Sequence, residues 1–302
     1  MEKIIVTGAT GFIGKRFVHN PALKNYNVSI LSRRDHEDFE TIICDFETDF
    51  NIGDAFIGVK TIFHFAGLAH DVINPSENSY LFHKVNLDAT VRLLNLAVEY
   101  GVNSFIFVSS VKAGGEAISG ELMSEDYCGV PKGPYGQIKR EAELRVLEIG
   151  RKSDIHVSII RPALVYGPKV KGNLGMMLTG IEKGWFPPLP ETRNRRSMIH
   201  VDDLVNAILM VSDDTRTDGE IYIATDDVPY STREIYVAFC HLLGKSVPRW
   251  NVPKFLFDIL AFLHPRLKHK IDKLFGDECY SSEKLKSLGF KAKLTLKDWK
   301  EI

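Results

Sequence analysis

Residues 7–14 read Thr7-Gly8-Ala9-Thr10-Gly11-Phe12-Ile13-Gly14, directly after the apolar run Lys3-Ile4-Ile5-Val6. Three glycines between a strand and a helix suit a pyrophosphate. A tight turn and a close backbone approach need residues without a Cβ, and a helix N-terminus offers N–H groups and a positive dipole. A glycine triplet alone is a weak signal. Its place at the chain's N-terminal edge, between a strand and a helix, is the context that confirms it. Gly8, Thr10, Gly11, Phe12, Ile13 and Gly14 are therefore candidate contacts to a dinucleotide.

Working outward, short apolar runs recur at Val28–Leu31, Thr61–Phe65, Phe105–Val108 and Val157–Ile160. Helical stretches lie between them. Leu87, Val91, Leu94 and Val98 are spaced for one helix face, and Ile138–Leu147 is a second such stretch. Near-continuous apolar strands alternating with amphipathic helices predict an α/β, doubly wound parallel sheet of Rossmann type. The texture changes after Tyr166-Gly167-Pro168, where Gly and Pro cluster through Pro190. Residues 1–166 are expected to form the dinucleotide-binding domain. Residues 167–302 are expected to form mainly a smaller, less regular α/β substrate module, which holds a strand at Ile221–Ala224 and a helix opened by Ser231-Thr232. Residues 201–213 are expected to pack back on the first domain.

The chain has 302 residues, with 38 Lys+Arg against 39 Asp+Glu and a formal charge of −1. That balance gives no general attraction to nucleic acid or anionic lipid, so such partners need local grounds. Cys44, Cys128, Cys240 and Cys279 are scattered, with no CxxC, and the histidines show no HExxH. No metal site is expected, and the cysteine usage fits a reducing compartment. No basic-then-apolar leader is seen before the first strand, and Phe255–Leu263, interrupted by Asp258, is too short to span a bilayer. A cytoplasmic protein without a membrane span is the expectation.

The second strand ends Ile30-Leu31-Ser32-Arg33-Arg34. A fold selective for NAD usually carries Asp or Glu there to accept from ribose hydroxyls. Ser32 and Arg33 offer a hydroxyl and a guanidinium instead, which can bind a 2′-phosphate. NADP is therefore the preferred cofactor on this reading, with NAD possible.

Ser109-Ser110 ends the strand that begins at Phe105, and Pro134-Tyr135-Gly136-Gln137-Ile138-Lys139 opens a helix. Tyr135 and Lys139, four apart, project from one helical face. An ammonium beside a phenol favours phenolate, which can exchange a proton with a carbinol or carbonyl oxygen. Ser110 sits at a strand's carboxyl end, where open α/β sheets bind ligands, and can hydrogen-bond the same oxygen. Arg193, Arg195 and Arg196 flank the Gly/Pro-rich segment, and guanidinium forks suit phosphate oxygens. The cluster is too short, and too poor in aromatics, for nucleic acid. His64, on an apolar strand, reads as a satisfied core histidine. His200 and Asp203 read as structural.

These motifs resemble the extended short-chain dehydrogenase/reductase family, in particular its nucleotide-sugar branch. The resemblance rests on Thr7–Gly14, Asp45-Phe46, Phe65-Ala66-Gly67, Asn86, Ser109-Ser110, Tyr135 with Lys139, Arg161-Pro162, Tyr166-Gly167-Pro168, and Arg196 with Ile199–Leu204. It implies that Asp45 and Phe46 meet the adenine and that Phe65, Ala66 and Gly67 line the path to the nicotinamide. It implies that Lys139 holds the nicotinamide ribose and that Pro162 borders the carboxamide. Asn173, Leu174 and Arg196 would meet the diphosphate or uridine of a UDP-sugar. A homodimer pairing the Leu87–Tyr100 and Ile138–Leu147 helices is also implied.

Several reactions share this apparatus. The 4,6-dehydratase branch places Asp-Glu directly after the Ser/Thr, where this chain has Val111 and Lys112, so that reaction is set aside. A 4-epimerase returns the hydride and favours NAD; a 4-ketoreductase consumes reduced cofactor and favours NADPH. Ser32-Arg33 tilts the reading to the reductase. Ser109–Glu116 and Val170–Asn173 resemble the enzymes that form UDP-N-acetylquinovosamine for bacterial surface polysaccharide. The alternatives are a UDP-glucose or UDP-N-acetylglucosamine 4-epimerase, a small-carbonyl reductase, and a non-catalytic dinucleotide sensor. Lys112, Ala113 and His83 are left without assigned roles.

Overall fold

The computed structural model describes residues 1–68 and 78–300, with the side chains of 265, 266 and 269 excepted. The strands are β1 Glu2–Thr7, β2 Tyr26–Ser32, β3 Glu40–Ile43, β4 Val59–His64, β5 Ser104–Val108, β6 His156–Pro162, β7 Leu164–Tyr166, β8 Met198–His200 and β9 Glu220–Ala224. Seven of them form one sheet in the order β3-β2-β1-β4-β5-β6-β9, every neighbouring pair parallel. The order reverses between β1 and β4, the crevice where doubly wound sheets take their ligands.

The helices are α1 Phe12–Val18, α2 Ser79–His83, α3 Ala89–Glu99, α4 Gly133–Lys152, α5 Gly172–Lys183, α6 Val201–Asp213, α7 Thr232–Leu242, α8 Lys254–Leu263, α9 Pro265–Phe275 and α10 Glu283–Ser287. Alternate strand residues face opposite sides of the sheet. Ile5, Ile62, Phe105, Phe107 and Ile159 pack with α3 and α4, while Ile4, Val6, Phe63, Ile106 and Ile160 pack with α1 and α6. Both faces are covered, which is why these strands are apolar without alternation.

Helix α6 packs on the sheet through Leu204, Val205, Ala207, Ile208 and Val211. The stretch Ile221–Ala224, grouped by sequence with the substrate module, instead forms β9 and pairs in register with β6. A separate core of Tyr166, Leu174, Met177, Leu178, Tyr230, Tyr236 and Phe239 gathers α5 and α7 beside the two-stranded sheet β7–β8.

Candidate active site

The glycine loop is held by steric necessity. Gly8 has φ +69°, and a Cβ there would lie 2.7 Å from the Ala66 nitrogen. A Cβ on Gly14 would lie 2.2 Å from the Gly8 oxygen. The loop therefore presses against the end of β4, at the point where strand order reverses. Gly11 precedes α1 without a side-chain cap, and no carboxylate stands in the first turn. The uncapped helix start and the missing acid fit a dinucleotide phosphate.

The floor of this crevice is a chain of polar contacts. Thr7 Oγ1 lies 2.7 Å from His64 Nδ1, and His64 Nε2 lies 2.8 Å from Thr90 Oγ1. The Ala66 N–H donates to Thr7 Oγ1, and Thr90 Oγ1 donates to the Asn86 carbonyl. With an N–H at one end and a C=O at the other, every group is satisfied only if Nε2 carries the proton. Burial, with the nearby Lys139 charge, pushes the His64 imidazole down to about 3, so it stays neutral. The core-histidine reading thus holds. Asn86, in the π-helical turn Lys84–Asp88, accepts from the Leu68 N–H at 2.7 Å and donates to the Leu68 carbonyl at 3.1 Å. A Cβ on Gly67 would come 2.9 Å from Asn86 Oδ1. Asn86 thereby shapes the Phe65–Leu68 turn.

At the carboxyl ends of β2 and β3, the Cys44 N–H donates to the Ser32 carbonyl at 2.9 Å, bringing Ser32 and Asp45 to adjacent strand ends. Asp45 Oδ1 accepts from the Glu47 N–H, and Phe46 packs on Phe50. Arg33 is exposed and donates to Glu47 Oε1 at 3.2 Å.

The catalytic candidates meet where α4 docks on β5. Ser110 precedes the 3-10 turn Val111–Gly114, and its Oγ accepts from the Lys112 N–H. A Cβ on Gly136 would lie 2.8 Å from the Lys112 oxygen, and Arg140 donates to the Ala113 and Gly129 carbonyls. The helix carrying Tyr135 therefore lies directly against the turn carrying Ser110. Tyr135 stands edge-on to Phe82 at 6.5 Å between centroids. Lys139 is buried; its Nζ donates to the Val108 carbonyl at 3.0 Å and sits 4.2 Å from the Phe107 ring centroid. Burial pushes its ammonium down to about 8, against the upward pull of Glu143. Glu143, one turn further on, is held by both prongs of Arg161 at 2.9 and 2.6 Å. That buried pair anchors α4 to β6, whose carboxyl end carries Pro162.

Across the crevice, Asn173 lies in the first turn of α5, and Leu174 points into the C-terminal core. Arg196 is buried. Its Nη1 donates to the Lys273 carbonyl at 2.8 Å, Nη2 lies 3.7 Å from Glu278 Oε2, and Nε has no hydrogen-bond partner among the described residues. Ser109 Oγ is likewise buried without a partner among the described residues. Glu278 Oε1 accepts from Lys112 Nζ at 2.7 Å. Burial alone would raise the Glu278 carboxyl, but Lys112, Arg196 and Lys273 outweigh it and hold the group below its usual range. Of the other arginines in the cluster, Arg193 is exposed and Arg195 half-buried. His200 and Asp203 are structural as read: His200 Nδ1 caps α6, and Asp203 Oδ2 accepts from the Lys293 and Leu294 N–H groups.

A family model for the NAD dependent epimerase/dehydratase family matches residues 4–224. The chain belongs to that family. It is similar to a UDP-glucose 4-epimerase of Vibrio cholerae, 30% identical, with 98% of this chain and 93% of the relative covered. It is also similar to an N-acetyl-glucosaminyl-diphospho-undecaprenol 4-epimerase of Escherichia coli O157:H7, 24% identical, with 98% and 92% covered. Among solved structures, MoeE5 in complex with UDP-glucose and NAD shares the fold, with a TM-score of 0.79, 23% identity, and 98% and 95% covered. As in the family, the chain is an enzyme of NAD-dependent epimerase/dehydratase type. Glu278, Asn86, Arg140 and the Glu143–Arg161 pair support the site without having been assigned roles from sequence. Of these, Asn86 and Arg161 stand in the family pattern quoted from the sequence.

Proposed function

We propose that the protein is a sugar-diphosphate 4-epimerase that keeps NAD bound through turnover. The observation that carries the reading is the docking of the Tyr135 helix on the Ser110 turn, beside the glycine loop and with no carboxylate at Val111 or Lys112. Without an acid there, elimination of water has no catalyst, whereas oxidation and reduction at one carbinol need only a positioned phenol and hydroxyl. Support comes also from similarity over nearly the whole length to the Vibrio cholerae 4-epimerase.

Gly8–Gly14, Asp45, Phe46, Phe65–Gly67, Lys139 and Pro162 would hold a nicotinamide dinucleotide, which when bound would supply reversible hydride exchange with the sugar carbon. Tyr135 takes the proton of the C4 hydroxyl and later returns it. Ser110 hydrogen-bonds the same oxygen and fixes its distance from the phenol. The Lys139 charge favours phenolate and is retained at neutral pH. Asn173 and Arg196 hold the diphosphate while the ketone turns to present its other face. The unpartnered Nε of Arg196 is a donor that a phosphate oxygen would satisfy.

Ser32-Arg33 favours a second reading, an NADPH-dependent 4-ketoreductase of a UDP-4-keto-6-deoxy-hexosamine. Arg33, however, is engaged by Glu47, and a carboxylate at that place repels a 2′-phosphate. Incubation with UDP-glucose, with UDP-N-acetylglucosamine and with its 4-keto-6-deoxy derivative separates the readings. Interconversion of 4-epimers without net cofactor loss is expected. Stoichiometric NADPH consumption with the keto sugar alone would replace the epimerase by the reductase. The group beyond the diphosphate is a uridine in the Vibrio cholerae relative's substrate and an undecaprenol in the Escherichia coli relative's. Both kinds of donor belong in the assay.

A further inference from the structure

The α8–α9 hairpin departs from the rest of the surface. Phe255, Leu256, Ile259, Leu260, Phe262 and Leu263 are all exposed, Phe262 by 85%. Only Phe257 and Ala261 turn inward, Phe257 standing edge-on to Phe275 of α9 at 5.1 Å. Soluble proteins scatter exposed apolar side chains singly; a contiguous face on one helix marks a contact surface. Trp250, four residues before α8, is 63% exposed.

The charge around this face is equally uneven. Between Lys245 and Phe275 the sequence carries seven Lys and Arg against Asp258 and Asp272, a local net charge of +5 in a chain of net −1. Lys268 and Lys270 are exposed on α9. An apolar helix, a flanking tryptophan and a basic neighbour are the composition of a segment that lies in a lipid interface. The ten residues of α8 rise about 15 Å, half of a hydrocarbon core, so the helix can lie on a bilayer but not cross it. Among the described residues no helix is long and apolar enough to cross a membrane.

We propose that α8 and α9 dock the protein on the surface of an anionic lipid bilayer, with Phe255, Ile259, Phe262 and Leu263 entering the interface and the α9 lysines meeting the headgroups. A second copy of the chain fits less well, because a two-fold contact through α8 sets the same basic segments against each other. The hairpin also adjoins the site. Arg196 donates to the Lys273 carbonyl, and Asn194 to the Gly276 carbonyl. Docking thus holds the diphosphate-binding segment beside the headgroup layer, whichever sugar is turned over.

The test is flotation of the purified full chain with vesicles of phosphatidylglycerol and phosphatidylethanolamine, and with vesicles of phosphatidylcholine alone. Binding to the anionic vesicles, weakened by salt, is expected, with little binding to phosphatidylcholine. Phe262→Ser with Phe255→Ser should abolish flotation while leaving turnover of a soluble UDP-sugar unchanged. Lys268→Gln with Lys270→Gln should weaken binding about 30-fold, from roughly 1 kcal/mol per cation at an anionic surface. Leu144→Ser, at an exposed apolar position on α4, should change nothing. No flotation of the wild type, or flotation that the phenylalanine variants leave intact, would overturn the proposal. So would a dimer that those variants dissociate, since the face would then belong to a second copy. An inactive enzyme that still floats would count against the epimerase reading alone.

Discussion

Lys112 Nζ donates to Glu278 Oε1 at 2.7 Å, joining the turn after β5 to a segment 166 residues later. Both groups are about one-fifth exposed, and the same carboxylate lies 3.7 Å from Arg196. Glu278 therefore balances two cations on the crevice wall, one of which is the proposed diphosphate clamp. Glu278→Gln should destabilise the ligand-free protein by about 1–3 kcal/mol, the usual cost of leaving buried charge without its partner. UDP should restore much of that loss, so the melting-temperature rise on adding UDP should be larger in the variant than in the wild type. Equal rises would mean that Arg196 does not meet the diphosphate.

Tyr135→Phe removes only the phenol oxygen. The ring stays against Phe82 and the hydrophobic core, so stability should hold within about 1 kcal/mol. Epimer interconversion should fall by about 10²–10⁴-fold, the range for loss of a general acid–base group. Ser110→Ala should cost less, because it removes a hydrogen bond and not the proton carrier. Turnover unchanged in Tyr135→Phe would point to a dinucleotide sensor on the same fold.

The sheet was legible because its signals are local. Ile4-Ile5-Val6 and the glycines after them announce a buried strand and a tight turn within a dozen residues. Tyr135 and Lys139 share a helix, so spacing alone pairs them. Glu278 was not legible, since its partners lie in a distant turn and in another strand-edge segment, and a lone acid in a tail carries no period. Ile221–Ala224 reads as a strand, but its place beside β6 in the main sheet is set by pairing with a segment about 60 residues away. A short apolar run reveals burial, not which sheet it joins.

Lys139 sets function against stability. Burial lowers its ammonium from 10.5 to about 8, which corresponds to about 3 kcal/mol of cost for holding the charge at neutral pH. Its bond to the Val108 carbonyl returns about 1 kcal/mol. Lys139→Met should therefore be as stable as the wild type or more so at pH 7, while losing at least about 100-fold in turnover. Between pH 8 and 10.5 the unfolded chain holds a proton that the folded one has released. Wild-type stability should accordingly rise with pH in that window, relative to the variant. A clear drop in the variant's stability at pH 7 would show that the ammonium gains more from Val108, Phe107 and Glu143 than it loses by leaving water.

Two buried groups tilt the acid side of the stability profile in opposite directions. His64 is lowered from 6.5 to about 3 by burial and Lys139. As pH falls below 6.5 the unfolded chain takes up a proton that the folded chain refuses, so stability falls, levelling near pH 3. Asp226 is raised from 3.8 to about 7 by burial, although Val228 and Tyr230 donate to it. Between those values the folded chain keeps a proton that the unfolded one has lost, so stability falls as pH rises. The slopes oppose each other from about pH 4 to 6.5. Asp226→Asn keeps the acceptor for Tyr230 and removes the second slope alone. Its stability should then climb by about 3 kcal/mol more than the wild type's over that interval, at roughly 1.4 kcal/mol per unit. His64→Gln should tilt the profile the other way, whatever it does to the absolute level. Urea melts at a series of pH values measure both slopes, and parallel profiles for wild type and Asp226→Asn would show that the Asp226 carboxyl is ionised in the fold throughout.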